Sequence, residues 1–270
     1  VGAIRYERKR KQKTAPETLP PPQRALRDYR GVAVFIEVVD GQGAQVSWEL
    51  VGKGRELAEK LKTRVIGFLP GHGVEAVARE AIVYGCDEVH LIDHPGLEHY
   101  LPQTYGQALA ELSQTVKPEI FLLGATALGR EVSGVVATLL QTGLTADCTA
   151  LEIDEEKGFL LMTRPTFGGN IMATIYCQNH RPQMSTVRPR VMRLPEKDPA
   201  RNGEIKRHPW SPPPGPLPQI IDWIKEPSRG DGVDIGQAPA LVVAGKGACD
   251  PASMPLLQEL ADLIGGTVAC

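Results

Sequence analysis

Between residues 31 and 140, short apolar runs alternate four times with amphipathic stretches, and this alternation most constrains the fold. Residues 32–39, 65–69, 88–92 and 120–123 are rich in Val, Ile, Leu and Phe. Between them the apolar residues recur at helical spacing. Leu50, Leu57 and Leu61 share one side of a helix over 47–61 that Ser47 is placed to cap. Val74, Val77, Ala78, Ala81 and Ile82 do the same over 73–84, with Gly85 beyond the end. Further helices are predicted over 101–116 and 130–140. Strands that follow helices in this order pair in parallel, and such a sheet needs a helical layer on each face. The near-continuous apolar strands agree, because a strand buried on both faces has no polar side. The predicted fold class is α/β, a parallel sheet covered by helices, nucleotide-binding-like and Rossmann-type.

The pattern changes after Gly143. Residues 150–153, 159–162, 171–177 and 185–192 read as β-runs without intervening helices, with a turn over 154–158. They are expected to extend the sheet as an antiparallel edge or flap. Residues 195–239 hold ten prolines and little periodicity, so 195–238 reads as a hinge or linker. A strand over 240–244, a helix over 251–264 and a strand from 267 open a second α/β domain. A strand, a helix and half a strand cannot bury a core, so the chain is expected to be a piece of a longer one. Residues 1–30 combine Arg5, Arg8, Lys9, Arg10, Lys11 and Lys13 with Pro16, Pro20, Pro21 and Pro22, which reads as a solvated basic tether, with a docking patch for an acidic partner as the alternative. The expected organisation is therefore a linker (1–30), an α/β domain (31–194), a hinge (195–238) and the start of a second domain (239–270).

Composition excludes several function classes. A net charge of −2 provides no global field for a polyanion, and 5% aromatic content argues against a base-stacking surface, so no nucleic-acid partner is expected. No apolar run approaches the roughly 18 residues of a membrane span. The five cysteines, Cys86, Cys148, Cys177, Cys249 and Cys270, are scattered and form no C-x-x-C pair. They read as reduced thiols in a cytoplasmic setting, without a zinc or iron–sulfur site built from this chain alone. His90, His94 and His99 surround a loop, where solvated histidines are expected. No nucleophile–base pairing is legible.

Three loops can touch a ligand. Arg164 opens Arg164-Pro-Thr-Phe-Gly-Gly-Asn170. Pro165 stiffens that loop, and Gly168 and Gly169 allow positive φ and close approach. An arginine held there can donate to a ring nitrogen or carbonyl and stabilise an anionic form; an arginine paired with a carboxylate in a turn is the plainer alternative. Gly124-Ala-Thr-Ala-Leu-Gly-Arg-Glu131 follows a strand but lacks both phosphate-loop fingerprints. Arg130 stands at a helix N-terminus against the dipole, which calls for a carboxylate partner or a second chain. Gly245-Lys246-Gly247 is a tight turn whose amides and Lys246 can meet a cofactor phosphate.

Together these motifs resemble the electron transfer flavoprotein α subunit. The resemblance rests on the loops above with Gly143-Leu-Thr-Ala-Asp-Cys148, Arg181-Pro-Gln-Met-Ser-Thr-Val-Arg-Pro-Arg-Val191 and Leu257-Gln-Glu-Leu-Ala-Asp262, and covers residues 31–270. The Arg181 segment is more similar to the electron-bifurcating branch.

The resemblance implies a heterodimer with an electron transfer flavoprotein β subunit. It also implies an FAD site lying mostly beyond residue 270, touched here by Gly245, Lys246 and Gly247, with Lys246 where the family usually has Arg. A second FAD in the β subunit would be approached by Arg164, the candidate catalytic residue, with Gly168, Gly169 and Asn170 beside it. Val1-Gly-Ala-Ile4 resembles the tail of a ferredoxin-like domain, which implies 4Fe-4S clusters before residue 1. The implied function is flavin-based electron bifurcation between NADH, ferredoxin and an acyl-CoA or 2-hydroxyacid dehydrogenase. Two alternatives stand beside it: a non-bifurcating carrier that passes electrons to a quinone reductase, and a nucleotide-binding regulatory module.

Overall fold

The computed structural model describes residues 28–215, 217–218, 220–221, 238–248 and 250–269. The basic segment with Val1–Ile4, most of the stretch from 219 to 237, Cys249 and Cys270 lie outside these residues. The chain divides into two compact units at Leu217–Pro218.

The first unit is built in the expected order. Strand β1 (Val32–Phe35) leads through a small hairpin, β2 (Val38–Val39) and β3 (Gln42–Gly43), into α1 (Gln45–Leu61). There follow β4 (Val65–Gly71), α2 (Glu75–Tyr84), β5 (Glu88–Asp93), α3 (Pro102–Val116), β6 (Ile120–Gly124) and α4 (Ala127–Leu139). Then come β7 (Leu144–Cys148), β8 (Ala150–Ile153), β9 (Leu160–Thr166), β10 (Ile171–Ile175), β11 (Gln183–Val187) and β12 (Glu204–Arg207).

Seven strands form one sheet in the order β12-β5-β4-β1-β6-β11-β7. Every pairing in it is parallel. Both faces are buried, and β1 shows why its sequence has no polar side. Val32 and Val34 enter a core with Leu50, Val51 and Leu57 of α1. Ala33 and Phe35 enter the opposite core with Leu109 of α3 and Val132 of α4. At roughly 1.5–3 kcal/mol for each large apolar side chain removed from water, these two layers dominate the stability of the unit.

Four sequence expectations need correction. Ser47 does not cap α1; Ala44 precedes the helix with no side-chain cap, and the Ser47 hydroxyl accepts from the Glu37 backbone N–H at 2.8 Å. The late β-runs do not all form one antiparallel edge. Strands β8, β9 and β10 form a separate antiparallel sheet, whereas β11 inserts between β6 and β7 in the parallel sheet. Its five residues are all buried, Gln183, Ser185 and Thr186 included, so a central strand here carries polar side chains that a reading of apolar runs does not expect. Residues 204–207, inside the stretch read as a linker, become edge strand β12 on β5. Proline on either side does not prevent residues 204–207 from packing, and Trp210 just beyond is buried. Finally, His90 is not solvated. It is 6% exposed and lies 2.8 Å from His208, which β12 brings across the edge.

The second unit contains β13 (Leu241–Val243), α5 (Met254–Leu263) and β14 (Thr267–Ala269), with β13 and β14 parallel. Most of its apolar side chains, including Leu256, Leu260 and Leu263, are exposed. The three described elements leave them uncovered.

No described helix is long and apolar enough to cross a membrane. Among the described residues, Cys86, Cys148 and Cys177 are free thiols, and no group of His, Cys, Asp or Glu side chains is arranged to hold a metal ion.

Candidate functional site at the carboxyl ends of the central strands

In a parallel α/β sheet the backbone opens into loops at the carboxyl ends of the strands, where ligands are usually met. Here the ends of β1, β6, β7 and β11 gather a set of polar groups. Thr126 caps α4, its hydroxyl accepting from the Gly129 N–H at 2.9 Å. The same hydroxyl donates to Glu37 Oε2 at 2.7 Å. Burial raises the Glu37 carboxyl above its ordinary value, against the opposing pull of that hydrogen bond. Gly129 has no alternative in this turn: a Cβ there would stand 2.0 Å from the Gly124 carbonyl oxygen.

Arg130 finds the carboxylate that its position required. Its guanidinium lies 3.3 Å from Asp147, and Arg188 lies 2.7 Å from the other oxygen of the same carboxylate. The hydrogen bond from Arg188, with the nearby charges of Arg130 and Arg164, holds Asp147 below its ordinary value. Asp147 itself adopts φ 65°, and its N–H donates to the Thr186 hydroxyl at 2.9 Å. Three arginines thus surround one carboxylate, leaving a net positive field.

Arg164 lies in β9, paired across the hairpin with Ala173 of β10. Its Nε is buried and has no hydrogen-bond partner among the described residues. The hairpin loop explains its own composition: Phe167, Gly168 and Gly169 have φ of 49°, 71° and 91°, and a Cβ on either glycine would meet nothing within 4 Å. The glycines therefore serve the left-handed turn and leave space above it. Asn170 follows on the exposed rim. Around them Phe167 is 80% exposed, and Ile171, Met172, Ile175 and Tyr176 are exposed as well. An unpaired β10 edge with this apolar fringe is suited to cover by a partner.

Arg164, Gly168, Gly169 and Asn170 are thus brought together on one flap, within the field of Arg130, Asp147 and Arg188. The turn Gly245-Lys246-Gly247 belongs to the second unit. It is exposed at the carboxyl end of β13, with the Ala248 N–H donating to the Gly245 carbonyl at 2.8 Å. Neither glycine has a neighbour where a Cβ would stand, so the backbone is open to a phosphate-bearing group. Glu37, Asp147 and Arg188 carry no site role in the sequence analysis, Arg188 entering only with Pro189 as part of the resemblance to the bifurcating branch. The last two lie inside the quoted motifs, and their spacing gave no sign that they pair.

A family model described as the electron transfer flavoprotein domain matches residues 32–213. The chain belongs to the electron transfer flavoprotein α-subunit family. Protein FixB of Azorhizobium caulinodans is 43% identical over 246 residues, 90% of this chain and 66% of that protein. Electron transfer flavoprotein subunit alpha of Thermoanaerobacterium thermosaccharolyticum is 40% identical over 244 residues, 90% of this chain and 73% of that one. Lactate dehydrogenase (NAD(+),ferredoxin) subunit LctC of Acetobacterium woodii is 37% identical over 242 residues, 90% of this chain and 57% of that subunit. The chain therefore spans between about half and three quarters of the length of these relatives.

Proposed function

We propose that this chain pairs with an electron transfer flavoprotein β subunit and works in flavin-based electron bifurcation. The observation that carries the reading is Arg164, a half-buried side chain whose Nε is buried and has no partner among the described residues, on a flap whose rim is apolar and exposed. Bound flavin supplies the capacity to take up and release electrons one or two at a time. The part of this chain is electrostatic. Arg164 presents a fixed positive charge and a spare donor, which favours the reduced, anionic form of a ring docked against the flap. Asp147 gathers Arg130 and Arg188 behind it. In the second unit, Gly245, Lys246 and Gly247 would meet the phosphates of a resident FAD. Lys246 would supply a point charge there in place of a planar fork.

The partners proposed are NADH, ferredoxin and an acyl-CoA or 2-hydroxyacid dehydrogenase; similarity to a subunit whose name couples lactate, NAD(+) and ferredoxin supports this branch. The non-bifurcating carrier is separated by one assay: only a bifurcating complex reduces ferredoxin with NADH in a reaction that depends on the dehydrogenase substrate. The proposed iron–sulfur domain rests on Val1–Ile4, outside the described residues, and iron analysis of the natural protein tests it. A cytoplasmic setting is proposed on the free thiols.

The decisive experiment is redox titration of the intact complex with Arg164 and with Arg164→Ala. Loss of the charge should lower a one-electron flavin potential by about 60 mV or more, the equivalent of a tenfold change in the equilibrium. Potentials equal to the parent's would remove Arg164 from this role.

A further inference from the structure

At the opposite end of the sheet, the starts of β1, β4, β6 and β11 frame a cavity of about 700 Å³. Among the described residues its wall carries five cationic side chains, Arg30, Lys62, Arg64, Lys157 and Arg181, against the single carboxylate of Glu119. Arg64 is committed to Glu88 Oε1 at 2.6 Å. Lys62 and Lys157 have no ion-pair partner among the described residues. Arg181 is the unusual member: its side chain is only 7% exposed. One terminal nitrogen donates to the Cys177 and His180 carbonyls at 3.1 and 3.0 Å, and the other lies 3.7 Å from Glu119. Its Nε is buried and has no partner among the described residues. The guanidinium is further held over the Phe159 ring, 5.7 Å from the centroid.

A buried donor without an acceptor is costly unless something satisfies it. Lys62 stands at the C-cap of α1, where the helix end alone favours a cation. That explanation reaches no further: Lys157 lies in the turn between β8 and β9, Arg30 precedes β1, and Arg181 precedes β11. Cations from four separate segments, with an orphaned guanidinium donor among them, form a receptor for clustered negative charge.

We propose that this cavity binds a multivalent phosphate compound, an inorganic or nucleoside diphosphate, at a site separate from the Arg164 flap. Bridging oxyanions would engage Lys62 and Lys157 at the rim and Arg181 at the wall. A diphosphate should accordingly bind more tightly than a single phosphate.

The test is calorimetric titration of pyrophosphate, orthophosphate and ADP into the natural complex, with Lys62→Glu/Lys157→Glu and Arg181→Lys variants beside it. Saturable pyrophosphate binding is expected, at least about tenfold tighter than orthophosphate and weakened at least about tenfold by the double charge reversal. Arg181→Lys should weaken it too, because the charge is kept but the fork is lost. The two surface lysines keep the test open if the Arg181 variant folds poorly. ADP binding that falls in parallel in the double variant would identify the diphosphate as the group recognised. Absence of saturable pyrophosphate binding, or equal pyrophosphate affinity in parent and double variant, overturns the proposal.

Discussion

The Thr126 hydroxyl donates to Glu37 Oε2 at 2.7 Å while accepting from the Gly129 N–H, so one side chain ties the start of α4 to the loop after β1. Glu37 is 5% exposed, and burial raises its carboxyl. A carboxyl raised on folding holds its proton more tightly in the folded chain. Its contribution is therefore most favourable at low pH and is lost as pH rises from the unfolded value through the folded one. Glu37→Gln keeps an acceptor for Thr126 and removes the charge. Thermal melts should show the variant more stable than the parent near about pH 7, with the gap closing towards about pH 4.

The His90–His208 pair makes the opposite prediction. Burial lowers both imidazoles below their ordinary values, His90 against the pull of Glu88 and with further lowering from His208 and Lys206. Burial by itself would raise Glu88, but hydrogen bonds from Lys206, Arg64 and His90 bring it down to about 2, so it stays ionised beside the pair. A base lowered on folding gives stability that is present above its unfolded value and lost as pH falls through the folded value. His208→Leu should flatten the fall in stability between about pH 7 and pH 5. A denaturant series at several pH values checks it, and an unchanged slope would place the acid sensitivity elsewhere.

These two contacts also mark where sequence reading ran out. The alternation of apolar runs and helical stripes made the parallel sheet legible, because burial on both faces leaves its signature along each strand. Strand β11 was legible as a strand but not as a central one: its buried Gln183 is used by the Leu160 N–H, which donates to its Oε1 at 2.9 Å. Strand β12 was hidden because its residues, Glu204, Ile205, Lys206 and Arg207, are at most half-buried and are held by distant partners such as Glu88. In the candidate site, Arg164 and the two glycines were readable from local backbone demands. Asp147 and Arg188 lie 41 positions apart, and no local pattern reveals such a pair.

Gly129 should tolerate nothing larger. An added Cβ meets the Gly124 carbonyl oxygen at 2.0 Å and the Thr126 Oγ1 at 3.2 Å. The first turn of α4 would have to move, losing the cap as well as the fit. Gly129→Ala is expected to cost on the order of 1–3 kcal/mol for overpacking, with about 1 kcal/mol more if the cap is lost. Gly134 is a control in the same helix, since a Cβ there meets nothing within 4 Å. Gly134→Ala should be stabilising by about 0.5–1 kcal/mol. Denaturation midpoints of the two variants should therefore move in opposite directions.

The apolar fringe of the flap separates folding from assembly. Phe167 is 80% exposed and Met172 is 55% exposed, so neither contributes much to the core of this chain. If the β10 edge receives the β subunit, as proposed, these side chains become buried only on association. Met172→Glu should leave the melting of the isolated chain within about 0.5 kcal/mol of the parent, as surface changes do. In the pair with the β subunit it would bring a charge to an apolar contact, and affinity should fall at least about tenfold. Phe167 has φ 49°, so Phe167→Asn removes the ring with a residue that accepts the left-handed backbone. Sedimentation or light scattering of the mixed subunits reads both variants. Full assembly with each, at parental affinity, would move the partner's footprint off the flap, and with it the reason for placing Arg164 against a partner-held ring.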